Sequence, residues 1–315
     1  MPQPVARPAV PSAPPRRRAA DAVTPVTMFD DRAWFAGDPA AAPTRGVESR
    51  LEAGEVLCFP QLAFALSAAE QRLLDPRVGD GKAKNISLRG AGNVLRGAAG
   101  SADEQAALAA MVRRFREQAA ALVDRLFPHY RGRVRPENTS YRPYAVEGRV
   151  TSWRKDDTRL HVDAFPSNPS HGERLLRVFT NVNPHGAPRV WRVGQPFDAF
   201  AQRFVPAVPR PLPGSAALLQ ALHVTKRRRT AYDHYMLQLH DRAKADLDWQ
   251  RDSPQATVNF APGTTWVVFS DQVLHAAMGG QFMMEQTFRL QPADLLCPEL
   301  APLAVLERLT ARSLI

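Results

Sequence analysis

The stretch DTRLHVDAF, residues 157–165, holds an imidazole and a carboxylate that are separated by one apolar residue. If this run is a β-strand, its side chains alternate between two faces, so Arg159, His161 and Asp163 share one face. Two potential metal ligands would then lie side by side. His-x-Asp is a short pattern that also arises by chance, so a metal site here requires a third ligand.

The region around this stretch is predicted to be rich in β-strands. Short strand-like runs with turn residues between them recur at 139–145, 158–165, 174–182, 189–193, 255–260, 264–269, 272–278 and 283–290. Eight such runs in one region predict a sandwich or jelly roll. A proline-containing segment at about 194–251, with a helical run at 232–249, interrupts them and is predicted to be an insertion that covers the barrel. The core is expected to span about 139–292.

Flanking helices make the predicted class α+β, mainly β. Ser67 and Glu70 have capping-box spacing at the start of a short helix, and strands are predicted at 55–64 and 84–88. Ser101 and Glu104 open a helix that extends to about residue 126. Its apolar residues repeat near the helical period and predict a buried stripe of Leu108, Met111, Phe115, Leu122 and Leu126.

Composition points to one domain at 28–315 behind a disordered tail at 1–27. The chain has 315 residues, 44% of them hydrophobic, whereas the tail is rich in Pro, Ala and Arg and can bury little apolar area. Cys58 and Cys297 lie far apart and predict neither a disulfide framework nor a zinc ribbon. We find no apolar run that could span a bilayer and no signal-peptide pattern, so the expected location is the cytoplasm.

Positive charge is concentrated in two places. The net charge is +10. Residues 1–25 contribute four arginines against Asp21, hence +3, and residues 226–229 contribute +4, which leaves +3 for the rest of the chain. The folded body is therefore only mildly basic. This distribution suits contact with an anionic surface such as phosphorylated lipid as well as it suits nucleic acid.

Among the eight histidines, His275 is the best-placed third ligand. It lies in a late strand of the predicted barrel. His171 and His185 fall in loops rich in Pro, Gly and Asn, where exposure to solvent is the simpler explanation. His234 and His240 are six residues apart on a predicted helix, so they face different directions and do not form the i, i+4 pair of a helical metal site.

An arginine on the following strand adds a possible anion contact. Arg289 lies fourteen residues beyond His275, and alternation places it on one face with Thr287. A charged residue within an apolar strand needs a partner. An anionic ligand is one candidate, and an internal pair with Glu285 is the alternative.

Together these residues predict a non-haem iron oxygenase. Two imidazoles and one carboxylate can occupy one face of octahedral iron(II) and leave three positions open. The keto acid end of 2-oxoglutarate can take two of these positions and dioxygen the third, while the fork of Arg289 suits the distal carboxylate. Ordinary core histidines are the structural alternative, and zinc also binds such ligand sets.

Longer strings carry a resemblance over roughly residues 50–312. They are KNISL (84–88), SYRP (140–143), DDTRLHVDAFPS (156–167), LRVFTNVNP (176–184), VWRVG (190–194), YDHYMLQLHD (232–241) and FSDQVLHAAMGGQ (269–281). In these strings the chain resembles the bacterial Kdo hydroxylase family. The Pro/Arg-rich tail lies outside the resemblance and receives no function from it.

The resemblance implies a double-stranded β-helix and an iron(II)- and 2-oxoglutarate-dependent dioxygenase. Its implied reaction is hydroxylation at C3 of 3-deoxy-D-manno-oct-2-ulosonic acid (Kdo) in the Kdo-lipid A inner core, which gives the 3-hydroxylated sugar Ko. His161, Asp163 and His275 match the iron ligands, and Arg289 matches the position expected to hold the distal carboxylate of the cosubstrate. Asn181 is a further candidate contact to 2-oxoglutarate, with Thr180 and Asn183 as competitors for that role.

Substrate contacts are expected from basic residues, because Kdo carries a carboxylate and lipid A carries phosphates. Lys226, Arg227 and Arg228 are candidates for the substrate or an anionic membrane surface, and a solvated face is the alternative. Arg159 is a candidate for the sugar carboxylate, and its alternative is an internal salt bridge to a neighbouring aspartate. The expected partners are Kdo-containing lipid A and the cytoplasmic face of the inner membrane, without nucleic acid.

Two other functions remain open at this stage. One is a 2-oxoglutarate oxygenase that acts on another small or protein substrate. The other is a non-catalytic jelly-roll module that binds glycan, which the basic runs alone support. The triad distinguishes the second possibility, because a binding module has no need to keep metal ligands.

Overall fold

The computed structural model describes residues 22–39, 41, 46–89 and 94–315. Most of the predicted disordered tail, residues 1–21, lies outside this range. Residues 22–27 were wrongly included in the tail, because the Thr24 N–H donates to the Gly194 carbonyl and the next residues enter a strand. That strand pairs in parallel with a buried partner strand, so residues 26–28 are held in the sheet.

The described residues form strands of two sheets. In chain order they are β1 (Val26–Met28), β2 (Val56–Phe59), β3 (Ile86–Leu88), β4 (Leu95–Arg96), β5 (Arg135–Arg142), β6 (Arg174–Asn181), β7 (Arg189–Gly194), β8 (Gln255–Phe260), β9 (Thr265–Phe269), β10 (His275–Gly279) and β11 (Met283–Leu290). The large sheet has the order β1-β2-β9-β6-β11-β5-β3-β4, and the small sheet has the order β10-β7-β8. All pairs other than β1 with β2 are antiparallel. Mixed helix-and-sheet architecture agrees with the predicted class.

The helices are α1 (Val47–Glu52), α2 (Ala68–Gln71), α3 (Ala102–Leu126), α4 (Phe197–Phe204), α5 (Ser215–Ala221), α6 (Ala231–Ala245), α7 (Leu247–Asp252) and α8 (Pro302–Thr310). Ser67 and Ser101 form the predicted capping boxes of α2 and α3. Within the described residues, no helix combines the length and apolar character needed to cross a membrane.

The predicted stripe of α3 packs against the large sheet. All five of its residues are buried, and they share one apolar cluster with Leu176 and Val178 of β6 and with Met284 and Phe288 of β11. Because strand side chains alternate, the opposite face of these strands is available for other residues. That second face contributes Phe179 and Met283 to a cluster with residues of the small sheet.

Helices α4 to α7 follow β7 and precede β8 along the chain, and these two strands pair with each other. Gly194 at the end of β7 pairs with Gln255 at the start of β8, so the chain leaves and re-enters the small sheet at neighbouring positions. The predicted helical run at 232–249 is in fact two helices, because the chain leaves the helical conformation at Asp246, whose side chain accepts from the Trp249 N–H and caps α7. Helices α4, α6 and α7 contribute to a third buried cluster together with Leu160 and Val162.

The prediction of a regular strand at 158–165 was wrong. The segment is extended but makes a single antiparallel bridge, between His161 and His275. The His161 N–H donates to the His275 carbonyl at 3.1 Å, and the His161 carbonyl accepts from the His275 N–H at 2.9 Å. The Asp163 N–H donates to the Ser270 carbonyl at 2.8 Å. Tertiary hydrogen bonds to the β9–β10 connection therefore position this segment, and a strand ladder does not continue through it.

Candidate metal centre and cavity

His161, Asp163 and His275 come together at one point. One ligand atom from each side chain lies within 4.8 Å of those of the other two. The two imidazole rings have their centroids 4.8 Å apart, and His161 Nε2 is 3.9 Å from Asp163 Oδ1. The bridge between His161 and the first residue of β10 brings the imidazoles together, although 113 positions separate them in sequence.

Both imidazoles have the tautomer that a metal site requires. His161 Nδ1 lies 2.7 Å from the Arg159 carbonyl, and His275 Nδ1 lies 2.8 Å from the Val273 carbonyl. A carbonyl oxygen can only accept, so each Nδ1 carries the hydrogen and each Nε2 keeps its lone pair. Burial lowers the pKa of both imidazoles. Both are therefore neutral near pH 7, which is the form that binds metal.

Asp163 is kept ionised by an arginine. Burial would raise the pKa of this carboxyl, but the positive charge of Arg177 and the other neighbouring groups lower it below its ordinary value. Arg177 Nη2 is 3.1 Å from Asp163 Oδ2, and Arg177 Nη1 donates to Glu285 at 2.9 Å. The arginine thus holds the carboxylate in place and is itself balanced by a second carboxylate.

The trio lies in the wall of a cavity of about 860 Å³. Nine Lys and Arg side chains and three acidic ones, Glu147, Asp157 and Asp163, line this cavity, so the formal charge of its lining is 9 − 3 = +6. Burial lowers the pKa of one of these lysines, Lys84, to about 6. Burial lowers the pKa of Lys244 to about 8, and burial together with nearby arginines lowers that of Arg189 to about 9. The cavity lining thus has more basic than acidic side chains, and this excess of positive charge suits an anionic ligand.

Three cavity-lining residues have hydrogen-bond donors without an acceptor. Arg177 Nε, Arg189 Nε and Trp191 Nε1 are buried and have no hydrogen-bond partner in the described part of the chain. A buried donor without a partner is costly. Trp191 also stacks on His275, with centroids 5.0 Å apart and an interplanar angle of 23°. These donors next to the trio match the oxygen atoms of a carboxylate ligand.

Comparisons with known proteins agree with this geometry. Residues 36–313 match the family model described as 3-deoxy-D-manno-oct-2-ulosonic acid (Kdo) hydroxylase. The chain belongs to the Kdo hydroxylase family. No curated protein gives a significant match. The expectation of a Kdo hydroxylase of the iron(II)/2-oxoglutarate class is thereby confirmed at the level of the family.

Solved structures of a Kdo hydroxylase resemble the chain closely. The crystal structure of KdoO, a non-heme Fe(II) α-ketoglutarate-dependent dioxygenase, in complex with α-ketoglutarate and Fe(III) is 44% identical in sequence. The alignment covers 93% of this chain and 98% of that one, with a TM-score of 0.87. A cobalt(II) complex of KdoO has the same identity and coverage and a TM-score of 0.88.

Arg289, which we expected to hold the distal carboxylate of the cosubstrate, is not part of the cavity lining. It does share a face with Thr287, but its Nε donates to Glu137 at 2.9 Å and its Nη1 is 3.6 Å from Glu173. Glu137 is a residue of β5, the strand paired with β11. Two carboxylates lie beside this arginine, but its buried Nη1 and Nη2 have no hydrogen-bond partner in the described part of the chain, so its role as a cosubstrate contact stays a prediction.

Asn181, the other expected cosubstrate contact, also lies outside the cavity lining. Its amide donates to the carbonyls of Ala187 and Phe260, and its oxygen accepts from the Asn183 N–H. The competitors Thr180 and Asn183 likewise bond to neighbouring protein groups. All three residues use their polar groups to hold chain connections in this part of the fold.

The basic residues expected to bind substrate are dispersed. Arg159 pairs with Asp156 at 3.1 Å and donates to the Lys244 carbonyl, so the internal salt bridge is what the structure contains. Arg159 does not line the cavity, and neither do Lys226, Arg227 and Arg228, which are exposed elsewhere on the surface. We predicted that Arg159 shares a strand face with His161 and Asp163. This prediction was wrong because the segment is not a regular strand.

The cavity contains residues to which sequence reasoning gave no role. His240 of α6 has its ring 5.3 Å from that of His161, and Lys244 follows one helical turn later on the same side. Arg142, Arg177 and Arg189 reach the cavity from three different strands. The i, i+4 spacing of His240 and Lys244 is the signal that could have identified the pair, whereas strands far apart in sequence have no such pattern.

Proposed function

We propose that the chain is an iron(II)- and 2-oxoglutarate-dependent dioxygenase that hydroxylates C3 of Kdo in Kdo-lipid A to give Ko. The observation that carries this proposal is the trio of His161, Asp163 and His275 in the wall of a cation-rich cavity. Two neutral imidazoles and one carboxylate fit iron(II). The facing sheets are proposed to form a double-stranded β-helix within one catalytic domain, with residues 194–251 as its insertion.

Each residue of the site has a defined task in this proposal. His161, Asp163 and His275 would hold the iron, which when bound with 2-oxoglutarate supplies the oxidising chemistry of the reaction. The Nδ1–H bonds to backbone carbonyls fix the ring orientations, and Arg177 orients Asp163. These contacts position the ligands before any substrate enters.

Cosubstrate binding is assigned to Arg189 and Trp191, with Arg177 beside them. Their unpartnered N–H groups are buried in the wall that also contains the trio. A dicarboxylate would satisfy these donors and offset part of the positive charge of the cavity. Arg289 would stabilise the fold through Glu137 and Glu173, and it is the alternative cosubstrate contact because its buried Nη1 and Nη2 also lack hydrogen-bond partners among the described residues.

The remaining cations favour an acidic acceptor over a neutral one. The cavity is also lined by Lys244, Arg142, Lys82, Arg149 and Lys155. Arg142 pairs with Glu285, whereas the last three have no carboxylate within salt-bridge distance among the described residues. The sugar carboxylate of Kdo matches this environment, whereas an oxygenase acting on a neutral side chain would not need it. We place the enzyme at the cytoplasmic face of the inner membrane, with Kdo-containing lipid A as its partner and no nucleic acid.

Acceptor-stimulated consumption of 2-oxoglutarate tests this proposal. Iron-loaded protein is mixed with Kdo-lipid A or with the same lipid A lacking Kdo, and succinate is measured. We expect Kdo-lipid A to stimulate succinate formation at least about tenfold over the Kdo-free lipid, because only a positioned acceptor commits the site to turnover. Equal rates with both lipids would contradict the assigned substrate.

A further inference from the structure

An apolar patch projects from the insertion at α5. Leu212, Leu218, Leu222 and Val224 expose 77%, 60%, 63% and 50% of their surface, and we call these four residues the α5 patch. Leu218 and Leu222 are spaced i, i+4 and so lie on one side of the helix and its C-cap. Four large apolar side chains exposed within thirteen residues mark an interaction surface.

A basic run follows the patch directly. Lys226, Arg227 and Arg228 are exposed, and together with Arg229 they have no carboxylate within salt-bridge distance among the residues that the structure describes. Their backbone is nevertheless fixed to the protein. The Lys226 N–H donates to the Ser167 carbonyl, the Arg227 guanidinium to that of Pro169, and the Arg228 carbonyl lies 2.7 Å from His171 Nε2.

These anchors connect the basic run to the cavity. The run is held by residues 166–171, which continue directly from Asp163, Ala164 and Phe165 in the cavity wall. Helix α6 makes a second connection, because Thr230 caps it immediately after the basic run and His240 on the same helix lines the cavity. Ten residues of helix separate Thr230 from His240, a length of about 15 Å.

We propose that the α5 patch and the basic run form one docking surface for an anionic lipid bilayer. Apolar side chains flanked by cations fit the interface of a membrane, where the leucines enter the acyl boundary and the cations meet lipid phosphates. A protein partner with an acidic rim would have to match a fixed shape, whereas a bilayer accepts irregularly projecting leucines. Binding of vesicles requires no turnover, so this inference does not depend on the proposed reaction.

Vesicle flotation of the full chain tests the apolar half of the surface. The probes are vesicles of phosphatidylglycerol mixed with phosphatidylcholine, and vesicles of phosphatidylcholine alone. We expect the wild type to bind the anionic vesicles and the double variant Leu218→Ser/Leu222→Ser to bind at least about tenfold more weakly, because serine has little apolar area to bury in the bilayer. The matched control is Leu247→Ser, since Leu247 is 61% exposed on α7.

A second set of variants tests the cationic half. Lys226→Gln/Arg227→Gln/Arg228→Gln is expected to weaken binding to anionic vesicles about 100-fold at low salt, because each cation near an anionic surface contributes about 1 kcal/mol. Its charge-matched control neutralises three exposed arginines outside the surface, Arg72, Arg96 and Arg131. This control should retain most of the binding and the salt dependence of the wild type.

Three outcomes would overturn the inference. They are a wild type that does not bind anionic vesicles, control variants that lose as much binding as the patch variants, and a wild-type dimer that the leucine variant dissociates without any change in vesicle binding. The last result would assign the patch to a second copy of the chain. Sedimentation velocity on all variants measures the oligomeric state, and equal melting temperatures would show that the exposed substitutions leave the fold intact.

Discussion

The two faces of β6 and β11 differ sharply although they belong to the same strands. On one face Leu176, Val178 and Met284 pack in the apolar cluster beneath α3. On the other face Arg177 and Glu285 lie next to the candidate metal ligands, and both are almost fully buried. Apolar burial stabilises a fold directly, whereas buried charges need partners to offset desolvation. The apolar face therefore stabilises the fold, and the charged face forms part of the candidate site.

Substitution of a metal ligand should have the largest effect. We expect Asp163→Ala to lose stoichiometric iron and to lower turnover by at least about 10³-fold, because the metal site loses its charged ligand. The melting temperature should change little, since Arg177 keeps Glu285 as a partner. Iron content by elemental analysis and succinate formation measure both effects. Wild-type iron content and turnover in this variant would refute the ligand assignment.

On the apolar face, Phe115→Ala should act on stability alone. Phe115 is fully buried, and its ring centroid lies 5.3 Å from that of Phe64 and 6.2 Å from that of Trp34. Its truncation should lower the free energy of unfolding by about 3–5 kcal/mol, measured by urea denaturation. Iron affinity of the folded variant should equal that of the wild type. A loss of iron affinity as large as that of Asp163→Ala would show that the two faces are not independent.

Arg189→Gln and Arg289→Gln form a matched pair within the charged regions. Arg189→Gln should raise KM for 2-oxoglutarate by about 10–100-fold, because a hydrogen bond to a charged group contributes about 1.5–3 kcal/mol. Arg289→Gln should change this KM less than about threefold and should instead lower stability, since Glu137 loses its cation and Glu173 keeps only Arg135. A large increase of KM in Arg289→Gln with little change in Arg189→Gln would show that Arg289 binds the cosubstrate.

Arg159→Gln should have the smallest effect. Its salt bridge to Asp156 is partly exposed, and such pairs contribute about 0–1 kcal/mol. We expect KM for Kdo-lipid A to change by less than about twofold. An increase of tenfold or more, with unchanged stability, would show that this arginine contacts the sugar after all.

Local patterns predicted those parts of the fold that local interactions form. The capping boxes at Ser67 and Ser101 and the strand-like runs at 255–260 and 283–290 depend on neighbours in sequence, and the predicted and observed elements agree. The segment at 158–165 was predicted as a strand because its residues alternate. Its hydrogen bonds go to His275 and Ser270, which lie more than 100 residues away and leave no local pattern.

The same distinction applies to the candidate site. The trio could be predicted because two ligands are adjacent and the third lies in a recognisable strand. The protein partners of Arg289 and Arg159 could not be read from spacing alone. Arg289 meets Glu137 across β5, and Arg159 turns towards Asp156 and α6. The cavity cations converge from separate strands, and only the three-dimensional structure brings Arg142 close to Arg189.

Product analysis tests the central claim most directly. Protein reconstituted with iron(II) under anaerobic conditions is given 2-oxoglutarate, Kdo-lipid A and then dioxygen, and the lipid and succinate are measured by mass spectrometry. The account predicts a one-oxygen mass gain on the Kdo unit, at C3, with one succinate for each hydroxylated sugar, and neither product in Asp163→Ala. Well-folded, iron-loaded wild type that forms no hydroxylated Kdo would contradict it.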